Sequence, residues 1–331
     1  MPETPGAVAV DGSVPRSVAL NRTRADQAYR AFCLACGLAT LVVLVLIGAF
    51  LLIRAWPALK VAKWHFLTTE QLPPVLTNHT SFGIRALLFG TIEVSTIALV
   101  VAVPVSIATA LFISDYAPRR LRRPLTSVVE VLAAVPSLVY GLWGFFFLQP
   151  RVVPISEWLN QHLSFGVIPV FKVSEKLFAS SPFIAGLVVS LMVIPISTSV
   201  MREVFSQTPP AEKEGALALG ATRWGMVRAV VLPFGAGGIV GGSMLGLGRA
   251  LGETIAVAII LSTLQTFNPH ILQSGGGTIP ATIALRFSES GGLGLSALMA
   301  AGAALFGLTL LVNTAASMVV AHSRSGQGVE I

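Results

Sequence analysis

The sequence predicts an all-α integral membrane protein with about six transmembrane helices, because of its composition, its long apolar runs and the placement of its charges. Of the 331 residues, 54% are hydrophobic and only 11% are charged, whereas roughly a quarter of the residues in a soluble domain are charged. Several apolar runs exceed the roughly 20 residues that cross a bilayer as a helix. The net charge of +7 arises in short segments between these runs, which is typical of a multi-pass membrane protein and gives no reason to expect a nucleic-acid partner.

The apolar runs divide the chain into a transmembrane domain and two tails. Residues 1–27 contain few large apolar side chains and are predicted to form a disordered tail. Residues 28–322 form the transmembrane domain, which includes a polar loop at 203–233, and residues 323–331 form a second tail. The predicted spans lie at residues 31–53, 87–113, 125–148, 182–202, 234–264 and 293–320.

The positive charges predict the orientation of the chain. Arg119, Arg120, Arg122 and Arg123 lie in the short segment between the second and third spans. Short loops rich in Lys and Arg remain in the cytoplasm. We therefore expect both termini and the 203–233 loop to be cytoplasmic, and the segments at 54–83, 149–181 and 265–292 to be external.

The 203–233 loop has the signals of two short helices. Thr208 is a suitable N-cap, with Pro209 at the first helical position. Gly220 is expected to end this helix, and Thr222 can cap a second helix that continues towards the fifth span.

The first of these helices has a face of small residues. Ala211, Gly215 and Ala218 are spaced four and three residues apart, so they lie on one side of a helix. Such a surface allows another molecule to approach closely. An amphipathic helix that lies at the membrane interface without a partner would have the same features, so both interpretations remain open at this point.

The fifth span contains two charges deep in an apolar run. Arg249 lies roughly 22 Å from the cytoplasmic end of a straight helix, and Glu253 follows one turn later on the same predicted face. Each charge costs about 3 kcal/mol at the centre of a bilayer. One interpretation is a polar position that lines a substrate path, and the other is a self-neutralising pair that ties helices together. Before them, Gly238, Gly242 and Gly246 recur every four residues and predict close helix packing.

The loop also resembles a known family motif. Its pattern Glu-Gly-Ala-x3-Gly-x9-Val-x-Leu-Pro is similar to the EAA loop of ABC importer permeases, for which Glu-Ala-Ala-x3-Gly-x9-Ile-x-Leu-Pro is typical. The resemblance implies that the loop docks into a cleft on an ATP-binding subunit. The chain has no Gly-x4-Gly-Lys-Ser/Thr phosphate loop, so ATP hydrolysis is expected in a separate subunit and not in this chain. The coupling residues implied by the motif are Glu214, Gly215, Ala216, Gly220, Val230, Leu232 and Pro233.

A second resemblance narrows the family. The segment Gly-Leu-Gly-Arg-Ala-Leu-Gly-Glu-Thr at 246–254 is similar to phosphate-specific ABC importer permeases, the C subunit in particular, and residues 129–144 resemble the same subunit. The resemblance covers about residues 30–322 and implicates Arg249 and Glu253 in phosphate passage. Arg249 offers planar donors for a tetrahedral oxyanion. Glu253 can accept the hydroxyl of hydrogen phosphate and repel sulfate, which carries no proton.

The resemblance implies an ABC type I importer fold, a bacterial plasma-membrane location and a set of partners. These are membrane lipid, a second permease subunit (the related A subunit), a dimer of ATP-binding subunits and a periplasmic or lipid-anchored phosphate-binding protein. No cofactor is implied, and the histidines show no metal-ligand spacing. The alternatives are a permease for another oxyanion such as sulfate or molybdate, and a non-transporting scaffold or signalling partner of the phosphate system.

Overall fold

A computed structural model describes residues 24–70, 72, 82–163, 173, 178–261 and 267–324. These residues are helical apart from the connecting turns, and no β-strand occurs among them. The predicted all-α fold is confirmed. The described helices, in chain order, are α1 (Arg24–Ala62), α2 (His65–Thr68), α3 (Arg85–Leu111), α4 (Arg119–Ala134), α5 (Ser137–Trp143), α6 (Gln149–Leu163), α7 (Pro182–Ser206), α8 (Pro210–Ala218), α9 (Arg223–Met226), α10 (Leu232–Phe234), α11 (Ala236–Gly252), α12 (Ile255–Ile260), α13 (Ile279–Arg286) and α14 (Gly292–Arg324).

Five described helices are long and apolar enough to cross a membrane, and a sixth is obtained when the bent pair Arg223–Phe234 and Ala236–Gly252 is counted as one span. This agrees with the prediction of about six spans. Within the described part of the chain, three π-helical segments join neighbouring helices, at Phe112–Tyr116, Gly144–Leu148 and Val227–Val231.

The chain forms two compact units, one up to Ala49 and one from Phe50 onwards. Helix α1 begins at Arg24, where Asp26 in the first turn interacts favourably with the helix dipole. Residues 24–27 are therefore helical, although the sequence predicted a disordered tail over 1–27. The rest of that tail and the predicted tail at 323–331, apart from residues 323 and 324 at the end of α14, lie outside the described residues.

The third span differs from the sequence prediction of 125–148. Helix α4 ends at Ala134 because Val135 precedes Pro136 and adopts an extended conformation, with ψ 129°. The helix of membrane length is Ser137–His162. Residues 125–134 therefore belong to α4, which has no buried residue in this chain, and the predicted external segment 149–181 begins as helix α6.

The fifth span also differs from its prediction of 234–264. The segment Arg223–Phe234 meets α11 at a bend of 68° beside Gly235. Helix α11 stops at Gly252, and the short helix α12 follows after two non-helical residues. The predicted span is thus broken near its middle, and its residues 262–264 lie outside the described part of the chain.

Helices α3, α7 and α11 pack against one another in the centre of the second unit. Gly238, Gly242 and Gly246 face α7 at close range: a Cβ on Gly246 would lie 2.6 Å from Val193 Cγ1, and one on Gly238 would lie 2.6 Å from Val204 Cβ. Ser197 Oγ donates a hydrogen bond to the Gly242 carbonyl at 2.9 Å. The close packing predicted for this glycine strip is confirmed, and it fixes the helix that carries Arg249.

Candidate functional site

The first helix of the 203–233 loop, α8, begins one residue later than the sequence predicts. Pro209, not Thr208, occupies the N-cap position of α8, and Pro210 is the first helical residue. Pro209 precedes another proline and is therefore disfavoured in the helical region, which moves the start of the helix past it. The Thr208 hydroxyl is buried and has no hydrogen-bond partner among the described residues.

The turn at Gly220 has the geometry of a Schellman motif. Gly220 has φ +88°, in the left-handed region that glycine adopts readily. Its N–H donates to the Leu217 carbonyl at 3.0 Å, and Ala221 N–H donates to the Ala216 carbonyl at 3.1 Å. The next helix begins with Thr222, whose hydroxyl accepts from Gly225 N–H at 3.0 Å. The helix end at Gly220 and the Thr222 cap are both as predicted.

The loop has an exposed face and a buried face. The side of α8 that carries Ala211, Gly215 and Ala218 is exposed, and a Cβ on Gly215 would meet no described atom outside its own helix backbone within 4 Å. Beside it Leu219 is 91% exposed and Trp224 is 58% exposed. Exposed apolar side chains beside a small-residue helix face are typical of a surface that another protein covers.

The buried face of the loop is anchored in a small apolar core. Phe205, Val227 and Val231 are fully buried there, together with Met201 and Leu111. This core joins the loop to the ends of α3 and α7. Of the predicted coupling residues, Ala216, Val230 and Leu232 are partly buried, and Glu214, Gly215, Gly220 and Pro233 are exposed.

Arg249 lies in the last turn of α11 beside a cavity of about 490 Å³. Its Nε is buried and has no hydrogen-bond partner among the described residues. The cavity has one other polar side chain, that of Asn313 on α14, which the sequence analysis missed. The sequence did contain a signal for it, because Asn313 is a polar residue within the apolar run of the last span. The remaining lining residues are Ile196, Gly241, Met244, Leu245 and Gly248.

Glu253 does not pair with Arg249 in the described part of the chain, and the predicted helical i, i+4 arrangement was wrong. The helix ends at Gly252, and Glu253 has an extended backbone with φ −68° and ψ 125°. Its Oε1 accepts a hydrogen bond from Ala256 N–H at 3.2 Å, and the residue is 8% exposed. The Ala256 N–H at the start of α12 thus holds the carboxylate, and Arg249 faces the cavity without Glu253 as a partner.

These features define a class of protein: a multi-pass, all-α membrane permease with an exposed helix–glycine–helix loop and a cationic cavity. Residues 102–324 match the family described as binding-protein-dependent transport system inner membrane components, and the chain belongs to this family. It is the permease subunit of an ABC importer and works with other transporter subunits.

Curated relatives match almost the whole chain. A protein named phosphate transport system permease protein PstC 2 from Mycobacterium tuberculosis is 43% identical over 325 residues, which cover 97% of this chain and 98% of the relative. A protein named phosphate transport system permease protein PstC from Haemophilus influenzae is 39% identical over 295 residues, which cover 87% of this chain and 91% of the relative.

A solved structure shares the fold. A chain of a bacterial ABC transporter that imports the acidic polysaccharide alginate matches with a TM-score of 0.57 at 18% identity, and the match covers 89% of this chain and 97% of that chain. The predicted ABC importer permease fold is therefore confirmed.

Proposed function

We propose that this chain is a permease subunit of an ATP-driven bacterial phosphate importer. It forms half of the transmembrane pathway, and a second, related permease subunit forms the other half. The proposal rests on one observation above others: Arg249 lies in the last turn of α11, beside a cavity of about 490 Å³, and its buried Nε has no hydrogen-bond partner among the described residues. The names of the relatives identify phosphate as the anion to test first.

In this importer, a dimer of ATP-binding subunits hydrolyses ATP and binds the exposed face of the 203–233 loop. Gly215 lets the partner approach the helix backbone, since the rest of the described chain comes no closer than 4 Å to its Cβ position. Leu219 and Trp224 supply exposed apolar contacts, and Glu214 supplies an exposed carboxylate. In this arrangement the loop and both termini are cytoplasmic, and a periplasmic or lipid-anchored phosphate-binding protein docks on the opposite side of the membrane.

Phosphate passes the cavity beside Arg249 during alternating access. The guanidinium offers several donors in one plane, which suits a tetrahedral oxyanion. The Asn313 amide can donate to an ionised oxygen and accept from a protonated one, so it can contact either kind of oxygen on hydrogen phosphate. Glu253 ends α11 four residues after Arg249, and its carboxylate can accept the phosphate hydroxyl while it repels sulfate.

The test is ATP-driven uptake into proteoliposomes that contain the complete transporter and its binding protein. Arg249→Gln should lower phosphate uptake at least about tenfold, because a hydrogen bond to a charged group contributes about 1.5–3 kcal/mol. Arg123→Gln removes an exposed arginine from α4 and serves as the matched control. Unchanged phosphate uptake by the Arg249→Gln variant would refute the proposal that phosphate passes the cavity beside Arg249. If the wild-type transporter takes up sulfate or molybdate in preference to phosphate, the assignment of phosphate as the substrate is refuted.

The role of Glu253 needs two substitutions. Gln keeps an acceptor for Ala256 N–H but removes the charge, whereas Ala removes both. If the carboxylate selects hydrogen phosphate, Glu253→Gln should lose discrimination against sulfate in competition assays. If Glu253 acts only as a helix cap, Glu253→Gln should discriminate like the wild type and only Glu253→Ala should be impaired.

A further inference from the structure

The inner side of α8 carries a lysine that is bound on two sides. Lys213 directly precedes Glu214, but Glu214 is exposed whereas the Lys213 side chain is only 19% exposed. Lys213 Nζ lies 2.7 Å from Asp115 Oδ1 and 3.5 Å from the Phe205 carbonyl oxygen. One ammonium group therefore contacts two other segments of the protein.

Both contacts lie where a transmembrane helix ends. Asp115 belongs to the π-helical segment Phe112–Tyr116 that continues α3, and Phe205 lies in the last turn of α7. A cation near the C-terminal end of a helix is favoured by the helix dipole. Asp115 is held in turn by Ser114, whose hydroxyl donates to Oδ2 at 2.6 Å. Lys213 thus joins α8 to two helices that pack along each other in the centre of the second unit.

This ion pair differs from the other one in the described residues. Arg202 and Glu203 are 3.9 Å apart, with side chains 25% and 62% exposed. Asp115 is only 7% exposed, and its separation from Lys213 is a hydrogen-bond distance. Exposed pairs contribute little, whereas breaking a buried pair leaves a charge without compensation. The apolar core anchors the loop, and the Lys213 contacts add directional bonds that fix α8 relative to α3 and α7.

We propose that Asp115 and Lys213 are positioning residues that transmit movement of the docking helix α8 to α3 and α7. This inference rests on the proposed function, in which an ATP-binding subunit moves the 203–233 loop. When the ATP-binding subunit displaces α8, the ion pair moves the ends of α3 and α7 together with α8. Without the ion pair, α8 shifts over the apolar core and does not move α3 and α7 with it. ATP hydrolysis is then no longer coupled to movement of the membrane spans.

The test measures phosphate uptake and ATP hydrolysis on the same proteoliposomes, with the complete transporter and its binding protein. Asp115→Asn and Lys213→Met should each lower the phosphate transported per ATP hydrolysed at least about fivefold, the lower end of typical coupling between sites. Lys213→Arg, which keeps the charge, should retain most of the wild-type ratio. Glu130→Gln removes an exposed carboxylate from α4, outside the loop, and is the matched control.

The double variant separates positioning from folding. Each single substitution leaves a partly buried charge without its partner, whereas Asp115→Asn with Lys213→Met leaves none and should assemble even if a single variant does not. Co-purification with the ATP-binding subunit checks that assembly. If the pair transmits movement, the double variant remains as uncoupled as the single variants. Recovery of the wild-type ratio in the double variant would overturn the proposal.

The wild-type arm reports on the proposed function independently. If the wild-type transporter hydrolyses ATP but moves no phosphate, the substrate assignment fails, and the same ratio is measured with the anion that it does move. If the wild type moves phosphate and both single variants keep its ratio of phosphate to ATP, the positioning role fails and the proposed function stands.

Discussion

Gly246→Ala should destabilise the protein because α11 and α7 are too close for a methyl group at this position. The added Cβ would lie 2.6 Å from Val193 Cγ1 and 2.7 Å from Ser197 Oγ. Both neighbours are fully buried on one face of α7, so neither can rotate into free space. Ser197 also donates the hydrogen bond to the Gly242 carbonyl, and its displacement would weaken that bond.

The expected loss of stability is about 2 kcal/mol. Overpacking of a well-packed core costs about 1–3 kcal/mol, and loss of the Ser197 bond costs about 0.5–1.5 kcal/mol. Replacement of Gly by Ala within a helix returns about 1 kcal/mol. Gly237→Ala is the matched control on the same helix, since no other helix in the described part of the chain comes within 4 Å of its Cβ position. It should change stability by between zero and about 1 kcal/mol, in the stabilising direction.

The measurement is unfolding of the purified complex in a detergent titration, followed by circular dichroism. Gly246→Ala should unfold at a lower detergent concentration than the wild type, and Gly237→Ala at the same or a higher concentration. Uptake should also fall for Gly246→Ala, because Arg249 follows three residues later on the same helix. If Gly246→Ala proves as stable as Gly237→Ala, the helices do not meet at this strip as described.

Three further outcomes follow from the geometry. Gly220→Ala should weaken binding of the ATP-binding subunit, because φ +88° costs a non-glycine residue about 1–3 kcal/mol; unchanged co-purification would contradict this. Thr222→Val should speed hydrogen exchange at the Gly225 amide by several-fold, since the cap contributes about 1 kcal/mol, and unchanged exchange would exclude the cap. Asn313→Leu should raise the KM for phosphate uptake without weakening ATP-binding-subunit association; an unchanged KM would remove Asn313 from the pathway.

Local signals in the sequence predicted the parts of the structure that depend on local interactions. Gly220 ends its helix and Thr222 begins the next because each acts on backbone groups within a few residues. The close packing of the glycine strip was equally predictable from the sequence, since its four-residue spacing corresponds to one helix face. The third span was misplaced because hydropathy averages over a window and does not register the break that Pro136 imposes on Val135.

Contacts between distant segments had no comparable signal. Asp115 and Lys213 are separated by 98 positions, and neither residue type is unusual in a polar connection. Asn313 reaches the Arg249 cavity from another helix. Periodicity places a residue on a face of its own helix, but it does not say which helix that face meets.

The break after Gly252 explains how the membrane helix tolerates both charges without an ion pair. Arg249 lies in the last turn of α11, where carbonyl groups without helical partners favour a cation, and Glu253 accepts from the first turn of α12, where free N–H groups favour an anion. Backbone dipoles therefore compensate each charge separately. A helix terminus contributes at most about 2 kcal/mol in a partly buried site, whereas an arginine at the centre of a bilayer costs about 3 kcal/mol.

The remaining cost of about 1 kcal/mol or more requires another source of stabilisation near the guanidinium. The cavity supplies a place for it, because Arg249 and Asn313 face the same space of about 490 Å³. Water or a passing oxyanion there can bind the donors that the protein leaves open. An arginine paired bidentately with Glu253 would keep fewer free donors for substrate, and its charge would be neutralised. The broken helix leaves it partly compensated, which is the condition that reversible anion binding requires.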